Sequence, residues 1–402
     1  MYFEVIDNKS DCFGFYCEGQ IFKDLSHIDQ QRYCWTYHPL LESHDQIDYV
    51  FLYCDGKSIN EVCPDYLKED WEFLNKKFKA YFKSFYIAKI SLEDNCFYDM
   101  VPESFLIEYF ALKVKIIEHV VKTYPKPSNY DHLIDVTKVC NNISQHKVNI
   151  DTSSLDDRIA DPMVKRAKIK YNNISPYVKY DIFGSKTGRL STVPRSFPIH
   201  QIDREYRSII NPTNDWFLEI DFNGAELRTF LALAGKTQPT IDIHEWNVEN
   251  IYDGRFDREE AKKKIFAWLY GETENRKAEE IYNKELVRAK YWNKEEEVVK
   301  TYWGREIKSD KHHSLSYIVQ STFADLVLKQ MVKVFKLLEG KKSFIAFNIH
   351  DNIVIDLVDS DKYLLPKIVD VFSNTEFGRF LVNIKAGSNF GEMKNIKYVQ
   401  TN

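Results

Sequence analysis

The chain alternates short apolar runs with longer amphipathic stretches, a pattern typical of an α+β (mixed α/β) fold. In the first hundred residues a charged stretch over 66–82 predicts a helix. Strands are predicted at Tyr2–Ile6, 13–16, Tyr49–Tyr53 and 85–90. Helical spacing of apolar residues predicts further helices over 103–122, 130–144 and 323–338, and the charge-dense stretch 272–300 predicts solvated helices.

The stretch 216–228 joins an apolar run to the start of a helix. The run predicts a buried strand that ends at Asp221. Asn223 is the predicted N-cap, Glu226 resembles the acid of a capping box, and Gly235 can close the helix. Asp221 would then lie at the mouth of a sheet, where ligands bind. The alternative is a turn acid on a surface loop.

A second acid ends another apolar run. Residues 343–357 contain two apolar runs separated by His350, Asp351 and Asn352, which predicts a β-hairpin with Asp351 at its tip. The alternative is a simple turn former. If the two strand-end acids converge, they can hold two Mg²⁺ ions, which need few protein ligands because substrate phosphates supply the others.

Cations and rings share one face of a predicted helix. Arg258, Lys262, Phe266 and Tyr270 are each four residues apart, ahead of Gly271, so one end could bind a triphosphate and the other stack a base. An amphipathic helix with solvated cations and core rings is the alternative. Upstream, residues 183–207 combine glycines, hydroxyls and arginines, which suits phosphate contacts or an ordinary surface loop.

Composition adds few limits. The 402 residues are 44% hydrophobic with a net charge of −5, which indicates a globular protein and does not indicate nucleic-acid binding, although a local basic track remains compatible. No leader and no long apolar run is found, and the seven cysteines predict free thiols in a reducing compartment. We expect a cytoplasmic protein without a membrane segment.

The order of these motifs resembles that of the family A (DNA polymerase I-like) DNA polymerases, most closely the compact bacteriophage type. The resemblance covers about residue 130 to the C-terminus. It rests on TGRLST at 187–192, DFNGAELR at 221–228, DIH at 242–244, R-x3-K-x3-F-x3-Y-G at 258–271, and HDN at 350–352. Gly304-Arg305 and the segment from Gln320 to Asp325 also fit.

The resemblance implies a right-hand polymerase with an antiparallel-sheet palm, helical fingers and a reduced thumb. The implied domains are an N-terminal α/β domain (1–124), a reduced thumb or entry segment (125–186), and palm and fingers (187–402, fingers about 240–310). It implies primer–template DNA and dNTPs as partners, two Mg²⁺ ions as cofactors, and room for a processivity or replisome factor. The implied metal ligands, which are also catalytic, are Asp221 and Asp351, and Lys262 is implied to be catalytic as well. The implied nucleotide-binding residues are Glu226 (as a gate against the ribose 2′-OH), His244, Arg258, Lys262, Phe266 and Tyr270. The implied DNA-binding residues are Thr187, Arg189, Arg207, Gln320 and His350.

Departures from the family pattern define the alternatives. Asn352 replaces the usual glutamate of the third motif, and the short stretch 151–186 implies weak DNA grip. A single-subunit RNA polymerase and a catalytically silent replisome protein are the rival interpretations. In the N-terminal region only Asp7 and the helical pair Asp70 and Glu72 approach a nuclease pattern, so a scaffold, a docking domain and a degenerate exonuclease remain open and no active exonuclease is expected.

Overall fold

The computed structural model describes residues 2–6, 12–17, 20–22, 48–91, 95, 97–271 and 273–396. The helices in these ranges are α1 (Tyr49–Tyr53), α2 (Ile59–Val62), α3 (Asp65–Ile87), α4 (Glu103–Thr123), α5 (Tyr130–Gln145), α6 (Pro162–Asn173), α7 (Ala225–Leu233), α8 (Ile243–Asn250), α9 (Arg258–Tyr270), α10 (Arg276–Tyr282), α11 (Lys284–Tyr291), α12 (Lys311–Leu338) and α13 (Leu365–Ser373). The strands are β1 (Tyr2–Ile6), β2 (Cys12–Cys17), β3 (Gln20–Phe22), β4 (Asn149–Ile150), β5 (Tyr180–Asp181), β6 (Ser191–Thr192), β7 (Ile210–Asn211), β8 (Trp216–Phe222), β9 (Trp292–Asn293), β10 (Val298–Lys300), β11 (Glu306–Lys308), β12 (Phe344–Ile349), β13 (Asn352–Leu357), β14 (Asn374–Thr375), β15 (Gly378–Arg379), β16 (Val382–Gly387) and β17 (Lys394–Asn395).

Two compact units divide the chain. The first comprises residues 1–147 with 177–179 and 195–197, and the second comprises 148–176, 180–194 and 198–402. The domain limits predicted at 124 and 186, and the assignment of palm, thumb and fingers, stay predictions.

The first unit contains a helical core rich in aromatic residues. Trp71 and Phe78 on α3 stack on Tyr109 of α4, with ring centroids 5.2 and 4.7 Å apart. The strands predicted at Tyr2–Ile6 and 13–16 are confirmed, as are the three predicted helices that correspond to α3, α4 and α5. Asp70 and Glu72 are exposed on α3, whereas Asp7 lies outside the described residues.

Two strands predicted in this unit are helical instead. Tyr49–Tyr53 forms α1 because the Asp48 side chain accepts a hydrogen bond from the Phe51 amide and caps the turn. The first half of the predicted strand 85–90 belongs to the end of α3, and the second half is a turn. Phe85 continues the helical spacing of the aromatic residues on α3, and its ring contacts Phe97 at 5.5 Å, so tertiary packing extends the helix.

The second unit is built on a five-stranded antiparallel sheet with the order β12-β13-β8-β16-β17. The predicted strand before Asp221 and the predicted hairpin are both confirmed, as β8 and as β12–β13. Side chains alternate between the two faces of a strand. Phe222 therefore packs on the face covered by α12 and α13, against Phe323 and Phe372, while Asp221 projects to the other face.

Helix α12 begins twelve residues before the predicted start at 323 and includes Gln320, which we expected ahead of the helix. Local pattern concealed this start because buried polar residues interrupt the apolar stripe. Ser321 and Thr322 are fully buried although they are polar. The described helices include none that is long and apolar enough to cross a lipid bilayer.

The C-terminal end of α7 agrees with the prediction, whereas its N-terminal end does not. Gly235 adopts a φ of 72°, and the amides of Gly235 and Lys236 donate to the carbonyls of Ala232 and Leu231, which closes the helix as predicted. The N-cap is Gly224, with a φ of 57°, so the prediction of Asn223 at that position is wrong.

A helical layer follows, in which α7 to α11 and the first half of α12 share one apolar core. The prediction that 272–300 forms solvated helices is partly wrong. Tyr282 of α10 and Val287 of α11 are fully buried, and β9, β10 and β11 form a small antiparallel sheet.

Candidate active site

The two predicted acids come from neighbouring strands of the large sheet. Asp221 is the penultimate residue of β8 and lies in register between Asn352 of β13 and Asn383 of β16. Asp351 directly precedes Asn352, at the two-residue tip that joins β12 to β13. The hairpin therefore brings Asp351 to the end of β8, beside Asp221.

The surroundings of the two carboxyl groups raise their pKa values, and nearby positive charges oppose this only in part. Burial, with the negative charges of Asp351 and Glu219, raises the pKa of Asp221 to about 7, and Lys385 and the side chain of Asn383 only partly oppose this. Burial also raises the pKa of Asp351, against the opposing charge of Arg189. Two adjacent, half-buried acids favour binding of a cation, because the ionised forms are costly without one.

Glu226 links three of the predicted residues. One carboxylate oxygen accepts a hydrogen bond from Arg189 at 3.0 Å, and the other accepts from the Tyr270 hydroxyl at 2.5 Å. Burial, with the charge of Glu226, raises the pKa of Tyr270, and the side chain of Gln320 of α12 is one of the groups that oppose this. The capping box expected for Glu226 is not formed, since its carboxylate is bonded to these longer-range partners.

The cationic end of α9 is fixed by an acid that sequence reasoning left without a role. Asp242 caps α8 through the amides of His244 and Glu245. Its other oxygen accepts from Arg258 at 2.8 Å and from the Asn223 amide at 2.7 Å. These bonds, chiefly the one from Arg258, hold the pKa of Asp242 well below its usual range despite burial.

The predicted stripe on α9 is formed. Lys262 is exposed one turn beyond Arg258, and the rings of Phe266 and Tyr270 lie parallel with centroids 6.2 Å apart. His244 is buried with its ring 6.0 Å from Phe266. Burial lowers the pKa of His244 to about 4, so this imidazole is neutral near pH 7 and can donate a hydrogen bond through only one nitrogen.

The 187–192 loop packs closely against the side chain of Arg305 at Gly188. Gly188 has a φ of 78°, and a Cβ there would lie 2.6 Å from the guanidinium of Arg305. Arg305 in turn donates to Asp325 of α12 at 2.6 Å. Thr187, predicted to bind DNA, lies in the turn directly before Gly188.

Arg207 belongs to a different set of contacts. Its guanidinium lies 4.8 Å from the centroid of Phe390, and the negative charge of Glu219 partly opposes the lowering of its pKa by burial. Glu219 is itself paired with Lys385 on the face of the sheet that carries Asp221. The other predicted site residues lie near the two acids or α9. Arg207 is connected to them only through Glu219, which lies on the same face of the sheet as Asp221.

The donor set at the two acids fits a hard cation such as Mg²⁺. The donors are carboxylate oxygens, and the buried Oδ1 of Asn352 has no hydrogen-bond partner among the described residues. Within the same residues, no group of three or more histidine, cysteine, aspartate or glutamate side chains could hold an ion. An ion here would need additional oxygens from water or a nucleotide.

Comparison with known proteins supports the fold. One solved structure, the POL domain of Pol1 from M. smegmatis in complex with DNA primer-template and dNTP, is similar with a TM-score of 0.52 at 11% sequence identity. The match covers 72% of this chain and 75% of that chain. The chain has a polymerase-like fold. A scan against protein-family models and a search of curated proteins found no match.

Several residues that shape the site were not identified from sequence. Asn223 accepts from the Ile243 amide and from Arg228 and donates to Asp242, so it ties α7 to α8. Arg228 is fully buried and donates to the backbone carbonyls of 223, 239 and 241. A charged residue on the apolar side of a short helix was the one available signal for this role.

Proposed function

We propose that this protein is a template-directed DNA polymerase of the family A type, which adds dNTPs to a primer 3′-OH during phage DNA replication and releases pyrophosphate. The observation that carries the proposal is the convergence of Asp221 and Asp351 at the end of one buried sheet. In this proposal the five-stranded sheet is the palm, residues of about 240–310 are the fingers, and 125–186 form a reduced thumb.

Asp221 and Asp351 are the residues that would hold Mg²⁺. Bound there, two ions would stabilise the attacking and leaving oxygens of an in-line phosphoryl displacement. The raised pKa of Asp221, about 7, supports this role because a buried acid of this kind gains most from a cation.

The exposed face of α9 is proposed to bind the incoming nucleotide. Lys262 and Arg258 supply positive charge for the triphosphate, and neutral His244 offers a hydrogen bond rather than a third charge. Phe266 would contact the sugar and base, and Tyr270 would lie near the templating base. The separation of cations from rings along one helix is the arrangement that a nucleotide requires.

Arg189, Thr187, Gln320, His350 and Arg207 are proposed to contact the primer–template. Arg189 and Gln320 are connected to the site through Glu226 and Tyr270. His350 precedes Asp351 at the hairpin tip, so it lies where the primer end would meet the acids.

Glu226 supports DNA rather than RNA synthesis. Its side chain is held by Arg189 and Tyr270, so a ribose 2′-OH would have to displace a fixed carboxylate. A single-subunit RNA polymerase would instead use rNTPs, and its selectivity would not depend on Glu226.

Primer extension with Mg²⁺ tests the proposal. Asp221→Ala and Asp351→Ala should each abolish dNTP incorporation, whereas Asp131→Ala, a control with an exposed side chain, should extend at the parent rate. Extension by either active-site variant at the parent rate would refute the assignment of these acids. Template binding by the parent without any incorporation would favour a silent replisome protein.

A further inference from the structure

The edge strand β12 is held by side chains outside the sheet at Asn348, two residues before the hairpin tip. β12 is the first strand of the sheet, and in an antiparallel pair every second residue turns its backbone groups away from the partner strand. Asn348 donates its N–H to the Tyr180 hydroxyl at 2.9 Å, and its carbonyl accepts from the same hydroxyl at 2.7 Å. The Nε2 of His200 lies 3.0 Å from that carbonyl and must be the donor, since a carbonyl only accepts.

The same residue also fastens the tip from inside. The Asn348 side-chain amide donates to the carbonyl of Asn352 at 2.7 Å, across the base of the two-residue turn. Asn348 is 2% exposed, so loss of the Tyr180 hydroxyl would leave its buried N–H without this partner, and loss of both Tyr180 and His200 would leave its carbonyl without these donors.

Within the tip, His350 has an unfavourable backbone conformation, and its side chain stacks on another ring. His350 has a φ of 54°, in the left-handed region that is unfavourable for a non-glycine residue. Its imidazole stacks on His200, with centroids 4.9 Å apart and planes 27° from parallel. His200 therefore contacts both the strand before the tip and the strained residue within it.

We propose that Tyr180 and His200 are positioning residues that hold the β12–β13 tip, and through it Asp351, in the orientation needed to bind metal. This inference rests on the proposed polymerase function. Asp351 lies between His350 and Asn352. Tyr180 and His200 contact Asn348 and His350 on its N-terminal side, and the Asn348 side chain extends this support to Asn352 on the other side. Partners behind a metal ligand typically change activity or metal affinity by about 10- to 100-fold when they are removed.

Three substitutions separate the contacts. Tyr180→Phe removes only the hydroxyl, His200→Phe retains a ring for stacking without the donor, and His200→Gln retains a donor without the imidazole ring. The matched control is Tyr363→Phe, which removes a hydroxyl from an exposed tyrosine that contacts Lys341. Each is assayed by primer extension over a Mg²⁺ titration and by hydrogen exchange of peptides that span the tip.

For Tyr180→Phe we expect kcat to fall about tenfold and the Mg²⁺ concentration for half-maximal activity to rise, with the KM for dNTP changed less than about twofold. Exchange at the tip should accelerate, and the thermal midpoint should fall by only a few degrees because one buried N–H loses its partner. Tyr363→Phe should change none of these values. Loss of both His200 contacts, in His200→Ala, should exceed the effect of either His200→Phe or His200→Gln.

Two results would overturn the inference. One is a parent-like kcat and Mg²⁺ midpoint in Tyr180→Phe and His200→Ala while the parent protein extends primers. The other is a loss of activity that only follows the folded fraction, with an unchanged Mg²⁺ midpoint. A parent protein that incorporates no nucleotide at any Mg²⁺ concentration would instead refute the proposed function, and with it this role for Asp351.

Discussion

Replacing Asp221 by asparagine should stabilise the metal-free protein while it abolishes metal-dependent activity. Burial and the charges of Asp351 and Glu219 raise the pKa of Asp221 from its ordinary value of 3.8 to about 7. The ionised carboxylate is therefore unfavourable in the folded protein without a cation. An asparagine side chain at this position would keep nearly the same shape and carry no charge.

The pH dependence follows from the direction of the shift. Below about pH 4 the carboxyl is protonated in both the folded and the unfolded chain, so it does not affect stability. Between about pH 4 and pH 7 the unfolded chain loses this proton and the folded protein retains it, so stability falls as the pH rises. A shift of roughly 3 pKa units corresponds to about 4 kcal/mol, which is an upper limit because water and local relaxation screen the charge.

Denaturant unfolding in EDTA, at about pH 5 and about pH 8, measures this effect. The stability gained by Asp221→Asn should be larger at the higher pH, by about 1 to 3 kcal/mol. Asp131→Asn, which removes an exposed carboxylate, is the matched control. An Asp221→Asn protein that is less stable than the parent at the higher pH, or a gain that does not grow with pH, would refute the reasoning.

Three further outcomes are expected. Glu226→Ala should raise the ratio of rNTP to dNTP incorporation by about tenfold or more, measured in single-turnover assays, and an unchanged ratio would argue against the gate. Arg228→Met should lower the free energy of unfolding by about 3 kcal/mol, because it leaves three carbonyls without this donor, two of them buried, and a change below about 1 kcal/mol in denaturant titration would contradict this. Lys262→Ala should raise the KM for dNTP or lower kcat by about tenfold with a thermal midpoint within error of the parent, and a large stability loss would instead indicate a structural lysine.

The sheet and the acids of the site were predictable because they depend on local pattern. Apolar runs fix β8 and the hairpin, and Asp221 and Asp351 lie where those runs end. The spacing of four along α9 likewise places Arg258 and Tyr270 on one helical face without knowledge of the fold.

The start of α7 was not predictable, because a distant residue determines it. A Cβ at position 224 would lie 2.1 Å from the Ile243 side chain, so close packing of α8 requires glycine there and a left-handed backbone. Asn223 is consequently excluded from the capping position, and its side chain bonds to Asp242 and to the amide of Ile243. Propensity favoured Asn223, but the long-range contact determined the outcome.

The contacts of α9 explain why nucleotide binding and the acids should be coupled. The first turn of α9 is tied to the 221–228 segment through Arg258, Asp242 and Asn223. Its last turn returns to the same segment through Tyr270 and Glu226. A helix anchored at both ends to the segment that bears one acid cannot shift its cationic face without breaking one of the two links. In the proposed reaction, the Tyr270 link would keep Glu226 fixed beside the sugar, while the Arg258 link at the other end would keep the phosphate-binding face aligned with Asp221.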